Sequence, residues 1–535
     1  METALRMEGE VVAFIDIGTN SVRLLVVRIN PNFSYTIISQ EKEVVRLGEQ
    51  EFKDNSLKPQ AMERTILVCK RFAELANTYG ATKMIAAGTS AIREAQNQEE
   101  FLQKLTNEVG FTVHVISGIE EARLIYLGVS GALDIGDKKA IFIDLGGGST
   151  EIVIGDCHKT YYITSLQLGA IRLTTKFIGE GWLGPVPDSV FRQIKKYVSE
   201  NTRITKAKAQ ECGARIAFGS SGTIINLSEI ANKMFKKNDN GKPPCLTRKN
   251  LKKLTPILCS LSLEERKNLP GINPYRTDLI VAGAAIVETL MEEFGLEEIM
   301  ISQRGLLDGL LADYLSHFEG FQKLQKAPVR NRSVLHLGRS CSFDEKHSDT
   351  VANLALQLFD SAKQIELHSF GDYERDLLRH AATLHDVGDF LSFTDHHLHS
   401  HYIINNSELT GFDSKEKTII ANIARFHRKK LPSKKNLKPT DLDEKSKNIV
   451  TVLSTFLRFA EKLDRSHCGL VKKTEFSKVG KDQVLLSFYA ESDCSLEEWS
   501  ILQNKQAFYA SFEKELNVRC VVTEPAQLQQ ANNEI

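Results

Sequence analysis

The chain has 535 residues, which is too many for one hydrophobic core, so we expect at least two domains. Hydrophobic residues make up 42% and charged residues 25%, which excludes disordered and collagen-like chains. Lys and Arg total 68, as do Asp and Glu, so the formal net charge is zero. A protein that coats nucleic acid is normally basic. We therefore expect no specific nucleic-acid partner, and a local site for any anionic ligand.

The apolar runs are far shorter than the ~18–20 residues of a membrane span. Glutamates interrupt the N-terminal segment METALRMEGEVVAF, so we expect neither a signal peptide nor a membrane partner. The nine cysteines form no C-x-x-C pair, which favours free thiols in a reducing compartment. The expected location is cytoplasmic.

Short buried strands alternate with helices through the first half, which predicts a mixed α/β fold with a covered sheet. The predicted elements are a strand–turn–strand unit at 14–27, a helix at 59–80, a strand at 84–87, a helix at 119–133, a second strand–turn–strand unit at 142–155, a helix at 188–200, a strand at 215–218 and a helix at 277–294.

The two strand–turn–strand units resemble each other. Residues 14–27 read FIDIGTNSVRLLVV, and residues 142–155 read FIDLGGGSTEIVIG. The alignment pairs Asp16 with Asp144 and Ser21 with Ser149. A repeat of this size predicts a structural duplication.

Four loops rich in Gly, Ser and Thr follow predicted strands, at 18–21, 88–90, 146–150 and 219–223. Such turns direct several backbone N–H groups and hydroxyls at one point, as phosphate oxygens require. In open α/β sheets these loops gather at the carboxyl ends of the strands. We favour phosphate binding over plain turns. Absence of a G-x-x-x-x-G-K-[ST] motif excludes a P-loop protein.

Carboxylates precede two of these loops. Asp144, with Glu151 nearby in sequence, is predicted to hold a divalent metal through oxygen ligands. For Asp16 the metal interpretation and an Asx-turn are equally favoured.

Adjacent glutamates stand in the segment VISGIEEARLIY. Ser117 and Glu120 fit an S-x-x-E capping box, which accounts for Glu120 and leaves Glu121 without a local structural role. The alternative for Glu121 is a solvated carboxylate that pairs with Arg123 or a neighbour. Arg93 could hold a phosphate or form a surface ion pair with Glu94 or Glu99. Arg23 is a similar but weaker candidate.

The loops in this order resemble the exopolyphosphatase / guanosine pentaphosphate phosphatase (Ppx/GppA) family. The matching segments are FIDIGTNSVRLLV (14–26), GTSAIREAQN (88–97), VISGIEEARLIYLGV (115–129), FIDLGGGSTEIVIG (142–155), FGSSGT (218–223) and RTDLIVAGAAI (276–286). The resemblance implies duplicated ribonuclease-H-like domains of the actin/Hsp70/sugar kinase superfamily. It also implies that Glu121 is the general base and that Mg²⁺ or Mn²⁺ is required. The expected phosphate-binding residues are Asn20, Ser21, Arg93, Gly146, Gly147, Gly148, Ser149, Ser221, Gly222 and Thr223.

Histidines concentrate in the second half, where 12 of the 14 lie between His317 and His467. Helices are predicted at 347–363, 375–391, 415–427 and 446–465. His347, His385, Asp386 and Asp464 follow the H…HD…D order of metal-dependent HD phosphohydrolases, and this half resembles an all-α HD-like domain. His with carboxylate ligands suits a divalent metal. We favour slightly a scaffold whose metal site is vestigial or structural.

A basic run lies at 425–439, with seven Lys or Arg and no acidic residue. We expect Arg428, Lys429, Lys430, Lys434 and Lys435 to contact the distal part of a polyanionic substrate, with a solvated loop as the alternative. The remaining segment predicts strands at 471–479, 483–490 and 518–523 and a helix at 496–515, a small α+β domain. The predicted domains are 1–132, 133–312, 313–468 and 469–535.

Together these features predict an exopolyphosphatase that processively releases terminal phosphate from inorganic polyphosphate. The closest alternative is hydrolysis of the 5′-terminal phosphate of guanosine pentaphosphate. A non-catalytic regulator that responds to nucleotide is less favoured, because Glu121, Asp144 and Glu151 are intact. The long members of the resembled family imply a homodimer.

Overall fold

The computed structural model describes residues 9–49, 54–133, 135, 138–235, 244–318, 321–322, 327–432, 437 and 442–522. The chain divides into two compact units, Met1–Leu324 and Gln325–Ile535. Within the described residues, no helix combines the length and the apolar character needed to cross a membrane.

The first unit is mixed α/β, as predicted. Its strands are β1 (Glu10–Ile17), β2 (Ser21–Ile29), β3 (Tyr35–Val44), β4 (Lys83–Gly88), β5 (Val113–Val115), β6 (Ala140–Leu145), β7 (Thr150–Gly155), β8 (Thr160–Leu166), β9 (Ile216–Ser220), β10 (Cys245–Thr247) and β11 (Glu298–Ile301). Its helices are α1 (Pro59–Thr78), α2 (Ser90–Glu94), α3 (Gln98–Val109), α4 (Gly118–Ser130), α5 (Ala170–Leu173), α6 (Asp188–Asn201), α7 (Arg203–Cys212), α8 (Gly222–Phe235), α9 (Arg248–Ser260), α10 (Leu263–Arg266), α11 (Ile280–Glu293) and α12 (Leu306–Ser316).

The strands form two sheets built on one plan. The first has the order β3-β2-β1-β4-β5, and the second has the order β10-β11-β9-β6-β7-β8. In each sheet three successive strands are antiparallel, and the first of them pairs in parallel with a later strand. The first turn is also the same: the N–H of Gly18 donates to the carbonyl of Ser21, and that of Gly146 to Ser149, each at 3.0 Å. The sequence repeat is therefore a structural repeat.

Strand β1 shows how the sheets are covered. Its side chains alternate, so Ala13 and Ile15 join the core on one face of the first sheet, whereas Val12 and Phe14 face the second sheet. Helices α4 and α12 pack together and contribute to the same inter-sheet core as Phe142 of β6. This shared core fixes the two repeats and brings the ends of β1 and β6 together.

The predicted elements of the first unit are all present, but the third strand of each repeat was not predicted. The burial pattern explains the omission, because β3 and β8 are half-buried or exposed throughout and carry no apolar alternation. β3 and β8 form because they pair with β2 and β7, and the local sequence does not indicate this pairing.

The second unit is mainly helical and ends in a three-stranded sheet. Its helices are α13 (Val329–Ser340), α14 (Glu345–Gln364), α15 (Asp372–Leu384), α16 (His396–Asn406), α17 (Ser414–Arg425), α18 (Glu444–Leu463), α19 (Ser495–Leu502) and α20 (Lys505–Phe512), and its strands are β12 (Val471–Lys478), β13 (Gln483–Ala490) and β14 (Glu515–Val522). One core contains Phe456 of α18, Phe476 and Phe488 of the sheet and Phe508 of α20. The C-terminal sheet therefore packs into the same core as the helices.

Two local expectations in this unit are wrong. The single helix predicted at 496–515 is interrupted at Gln503 and Asn504, where the Asn504 side chain donates to the carbonyl of Ser500 and competes with the helix backbone. The nine cysteines are not all free, because Cys494 and Cys520 form a disulfide between the start of α19 and β14. The other seven are free thiols.

Candidate active site

A cleft of about 710 Å³ opens in the first unit where the ends of β1, β4, β6 and β9 meet. Its wall includes Gly18–Ser21, Thr89, Ser90, Gly146–Ser149 and Ser221–Thr223, so all four predicted loops contribute. Every predicted phosphate-binding residue except Arg93 lines the cleft, together with Glu121 and Asp144. The other predicted metal ligand, Glu151, is buried and is not among the lining residues. The gathering of these loops at carboxyl strand ends is the arrangement that an open α/β sheet uses for ligands.

Two side chains in this wall are buried without a hydrogen-bond partner. Both polar atoms of the Asn20 amide and the hydroxyl of Ser221 are in this state among the described residues. Ser221 also has a positive φ of 86°, an unusual backbone conformation for a residue with a side chain. A buried polar group without a hydrogen-bond partner is costly unless a ligand bonds to it. Both side chains therefore indicate that a polar ligand binds in the cleft.

Arg276 enters the loop after β9 because Gly222 has no side chain. A Cβ on Gly222 would stand 2.2 Å from the guanidinium of Arg276. That guanidinium donates to the hydroxyl of Thr223 at 3.0 Å and lines the cleft. The glycine thus brings a buried cation beside the predicted phosphate-binding turn.

The two repeats place opposite charges at equivalent positions. In the first repeat Asp16 is paired across the strands with Arg23, and in the second Asp144 is paired with Glu151. Asp144 accepts a hydrogen bond from Ser220 at 2.5 Å, and Glu151 accepts one from Ser165 at 2.8 Å. The first repeat therefore adds a cation to the cleft, whereas the second concentrates negative charge.

Glu121 lies in the first turn of α4 and is buried. The Ser117 side chain caps this helix by accepting from the N–H of Glu120, as predicted, but the Glu120 carboxylate bonds Arg123 and does not close a capping box. The Arg93 guanidinium donates to Glu121 at 3.0 Å. The ion pair with Arg123 that was the alternative for Glu121 is thus made by Glu120.

The pKa values of four buried carboxyls are raised. Burial raises the pKa of Asp16 to about 6 and that of Glu151 to about 7, and the Asp144 charge adds to both. Burial and the Glu151 charge raise the pKa of Glu121 well above its ordinary value, although Arg93 opposes them. Burial also raises the pKa of Asp144. Burial therefore opposes ionisation of all four groups, and neighbouring carboxylates add repulsion to three of them.

These carboxyls fit a hard divalent cation, which prefers oxygen ligands and would relieve their repulsion. Among the described residues, the groups of three or more His, Cys, Asp or Glu whose ligand atoms lie within 4.8 Å of one another are both in the second unit. The cleft therefore offers no complete protein cage. Mg²⁺ does not need one, because it commonly binds one or two carboxylates, water and substrate phosphates.

The histidine-rich residues of the second unit also come together. His347, His385 and Asp386 form one group with Glu461, and Asp386 forms a second group with His396 and His427. Asp464 contacts the group through His347 at 2.7 Å.

The basic run is described only in part. Lys429 and Lys430 are exposed, Arg428 is half-buried, and Lys434 and Lys435 lie outside the described residues. Lys429 forms an ion pair with Asp395.

Sequence reasoning did not assign Arg276 to the site. It gave Arg23 only as a weaker phosphate candidate, included Thr19 only as part of the loop at 18–21, and left Asp16 open. Arg276 starts RTDLIVAGAAI, one of the segments that carry the family resemblance, but that segment alone does not indicate that its arginine reaches the cleft. Its approach to Gly222 comes from tertiary folding. Arg93 is the converse case, since it bonds Glu121 and the carbonyl of Ile116 and is not among the lining residues.

Two family models match this chain. Residues 25–318 match the Ppx/GppA phosphatase family, and residues 329–506 match domain III of Ppx/GppA phosphatases. This chain belongs to the Ppx/GppA phosphatase family.

Similar members of the family carry two different activity names. A guanosine-5'-triphosphate,3'-diphosphate pyrophosphatase of Photobacterium profundum is 27% identical over 427 residues, which cover 79% of this chain and 81% of the relative. A crystal structure of an exopolyphosphatase from Cytophaga hutchinsonii ATCC 33406 has a TM-score of 0.54 and 25% identity, covering 58% of this chain and 99% of that one. An exopolyphosphatase-like protein has a TM-score of 0.51 and 26% identity over 57% of this chain and 98% of its own.

Proposed function

We propose that this Ppx/GppA family member is an exopolyphosphatase that releases terminal phosphate from inorganic polyphosphate by attack of water. The observation that carries the proposal is Glu121, a buried carboxylate that lines the same cleft as the glycine-rich loops and is held by Arg93. A base must lie beside the phosphate site and be kept in place. The unpartnered Asn20 and Ser221 side chains support a polar substrate there.

In this proposal the residues of the cleft divide the work of phosphoryl transfer. Backbone N–H groups of the Gly146–Ser149 and Ser221–Thr223 loops, with Arg276 and Arg23, bind the terminal phosphoryl group. Glu121 orients a water molecule and accepts its proton at a carboxylate oxygen. Mg²⁺ or Mn²⁺, held by Asp144 and Glu151, would supply positive charge to the phosphate oxygens. Such catalysis rests on positioning and electrostatics.

The raised pKa of Glu121 suits this role. A base works best when its pKa lies near the working pH. Burial raises the pKa from the ordinary range of a carboxyl, and Arg93 limits the rise. The position of Arg93 supports a role in holding Glu121 in place. The alternative within this proposal is that Arg93 contacts phosphate directly, as the family resemblance implies.

A second substrate is supported by the relative from Photobacterium profundum, whose name gives guanosine-5'-triphosphate,3'-diphosphate pyrophosphatase activity. Removal of the 5′-terminal phosphate of guanosine pentaphosphate would use the same loops and base. A non-catalytic regulator is less favoured, because the carboxylates and arginines of the cleft are assembled for chemistry. The test is phosphate release from polyphosphate and from guanosine pentaphosphate, side by side, with wild-type and Glu121→Gln protein. Release from neither substrate by the wild type would refute the proposal.

We extend the proposal to the domain architecture of the two units. The shared strand plan of the two sheets supports duplicated ribonuclease-H-like domains of the actin/Hsp70/sugar kinase superfamily. The assembly of His347, His385 and Asp386 supports an HD-like second unit. We also propose a cytoplasmic homodimer, and light scattering on the purified protein tests its oligomeric state.

A further inference from the structure

Four buried histidines of the second unit use their two ring nitrogens in the same way. In each, Nδ1 faces a carbonyl or carboxylate oxygen, and Nε2 faces the carboxylates of Asp386 or Glu461. The four are His347 of α14, His385 after α15, His396 at the start of α16 and His427 after α17. Five segments of the unit, including α18 with Glu461, thus aim ligand atoms at one place.

The Nδ1 contacts fix which ring nitrogen carries hydrogen. His385 Nδ1 lies 2.7 Å from the carbonyl of Ala382, and His427 Nδ1 lies 2.6 Å from that of Ala424. A carbonyl only accepts, so Nδ1 must donate, and a neutral ring then presents an unprotonated Nε2. An imidazole held in this way by its other nitrogen is the usual state of a metal ligand.

Two of these rings bring their Nε2 atoms close together, beside the guanidinium of Arg428. His396 Nδ1 lies 2.9 Å from a carboxylate oxygen of Asp389, and its Nε2 lies 3.2 Å from Nε2 of His427. Arg428 Nη1 lies 3.3 Å from His396 Nε2 and can donate to it. A donor on His396 does not satisfy His427 Nε2, and two unprotonated nitrogens at 3.2 Å repel unless a proton or a metal ion joins them. Asp386 Oδ1 lies 3.2 Å from His396 Nε2, and it is buried without a hydrogen-bond partner among the described residues.

Asp386 links this pair to a second group. Its Oδ2 lies 3.3 Å from Nε2 of His385 and 3.8 Å from Nε2 of His347. Glu461 Oε2 lies 3.2 Å from both of the same nitrogens. The ligand atoms of each group lie within 4.8 Å of one another. One carboxylate therefore directs its two oxygens at two separate sets of ligands.

We propose that the second unit binds two divalent transition-metal ions that share the Asp386 carboxylate. One ion is held by His347, His385 and Glu461 with Asp386 Oδ2. The other is held by His396 and His427 with Asp386 Oδ1. Four imidazoles favour Mn²⁺, Fe²⁺ or Zn²⁺ over Mg²⁺ and Ca²⁺, which prefer all-oxygen sites. The centre rests on the second unit alone and does not depend on the chemistry of the cleft.

Within this centre Asp464 is a positioning residue. Its Oδ2 faces His347 Nδ1 at 2.7 Å, and its Oδ1 accepts from the N–H of Gly469 at 2.7 Å. Both oxygens are thus engaged away from the Nε2 atoms. Glu461, one turn earlier on α18, supplies the carboxylate ligand that the H…HD…D pattern alone would assign to Asp464.

The test is the metal content of the full-length protein. Wild-type protein is stripped with chelator, loaded with Mn²⁺, passed through a desalting column and analysed by plasma mass spectrometry. We expect about two ions per chain. His427→Gln and His385→Gln should each retain about one, and Asp386→Asn less than one. The matched control is His380→Gln, which changes a buried histidine of the same unit that pairs with Asp376 outside the cluster.

Two further measurements separate the alternatives. The electron paramagnetic resonance spectrum of the Mn²⁺-loaded wild type should show a spin-coupled pair, and His427→Gln should show isolated Mn²⁺. Asp144→Asn should leave the retained metal unchanged, which separates this centre from the cleft. Circular dichroism compares each variant with metal-free wild type to check its fold. Fewer than about one retained ion in the wild type, or unchanged content in folded Asp386→Asn protein, would overturn the centre. One ion, uncoupled and unaffected by His427→Gln, would show that a proton joins His396 to His427 and would overturn the second site.

Discussion

One guanidinium nitrogen of Arg93 bonds both Glu121 and the backbone that precedes its helix. Nη1 of Arg93 donates to a carboxylate oxygen of Glu121 at 3.0 Å, and the same nitrogen donates to the carbonyl of Ile116 at 2.8 Å. Ile116 lies just ahead of α4, the helix that carries Glu121. The arginine therefore ties the base to the backbone beside it, and it does so from α2, the helix that follows the Gly88 turn.

The contact between Arg93 and Glu121 predicts that loss of Arg93 lowers kcat more at low pH than at high pH. Removing Arg93 removes a cation that lowers the pKa of Glu121, so that pKa should rise further. Arg93→Gln should then lower kcat about tenfold or more near pH 6 and less near pH 9, with Arg93→Lys intermediate. The measurement is the pH profile of kcat on polyphosphate. An equal loss at every pH would indicate that Arg93 acts mainly by binding phosphate.

The metal requirement gives a second prediction. Asp144→Asn removes a charge from the carboxylate pair with Glu151, so more Mg²⁺ should be needed for half-maximal activity, by about tenfold or more. Phosphate release is measured over a Mg²⁺ titration, with the exposed Glu74→Gln as control. Full wild-type activity in excess chelator would contradict the role assigned to this pair.

The raised pKa values predict how stability depends on pH in metal-free protein. The pKa of Asp16 rises from 3.8 to about 6, and that of Glu151 from 4.5 to about 7. The folded state thus binds more protons than the unfolded state between these values, so the stability that they contribute is present at low pH and is lost as the pH rises to about 7. The melting temperature should fall over this range, less steeply in Glu151→Gln than in wild type or Glu74→Gln. Mg²⁺ should restore stability above pH ~7. Identical slopes for Glu151→Gln and wild type would contradict the raised pKa.

The basic run predicts a dependence on chain length. Lys430, Lys434 and Lys435 are replaced together by Gln, which leaves Arg428 beside His396 and the Lys429–Asp395 ion pair in place. Affinity for long polyphosphate should fall and become less sensitive to salt, because attraction to many phosphates releases counterions. Short chains should be hydrolysed as before. Apparent affinity is measured against chain length at two salt concentrations. Equal losses for short and long chains, or no loss at all, would contradict the assigned contact.

Local sequence was sufficient for much of the first unit. The alternation in β1, the Gly-rich turns and the repeat indicated the α/β fold and most of the cleft wall, because strand ends and phosphate loops carry their signal in adjacent residues. The edge strands β3 and β8 were missed, since their stability comes from pairing and not from burial.

What the sequence could not indicate was the set of partners made by tertiary folding. The approach of Arg276 to Gly222 joins residues far apart in the chain. The same holds for Glu461, which precedes the Asp464 of the motif yet faces His347 and His385. Spacing alone cannot distinguish a ligand from the residue that orients it.

Matched substitutions of Glu121 and Glu120 test whether Glu121 is the base. Both residues lie in the first turn of α4, but Glu121 is buried in the cleft and Glu120 pairs with Arg123 at the surface. Glu121→Gln should keep the fold and substrate binding and lower kcat for phosphate release by about 10²–10⁴, whereas Glu120→Gln should stay near wild type. A nearly active Glu121→Gln protein, or an inactive but folded Glu120→Gln protein, would contradict the assignment of the base.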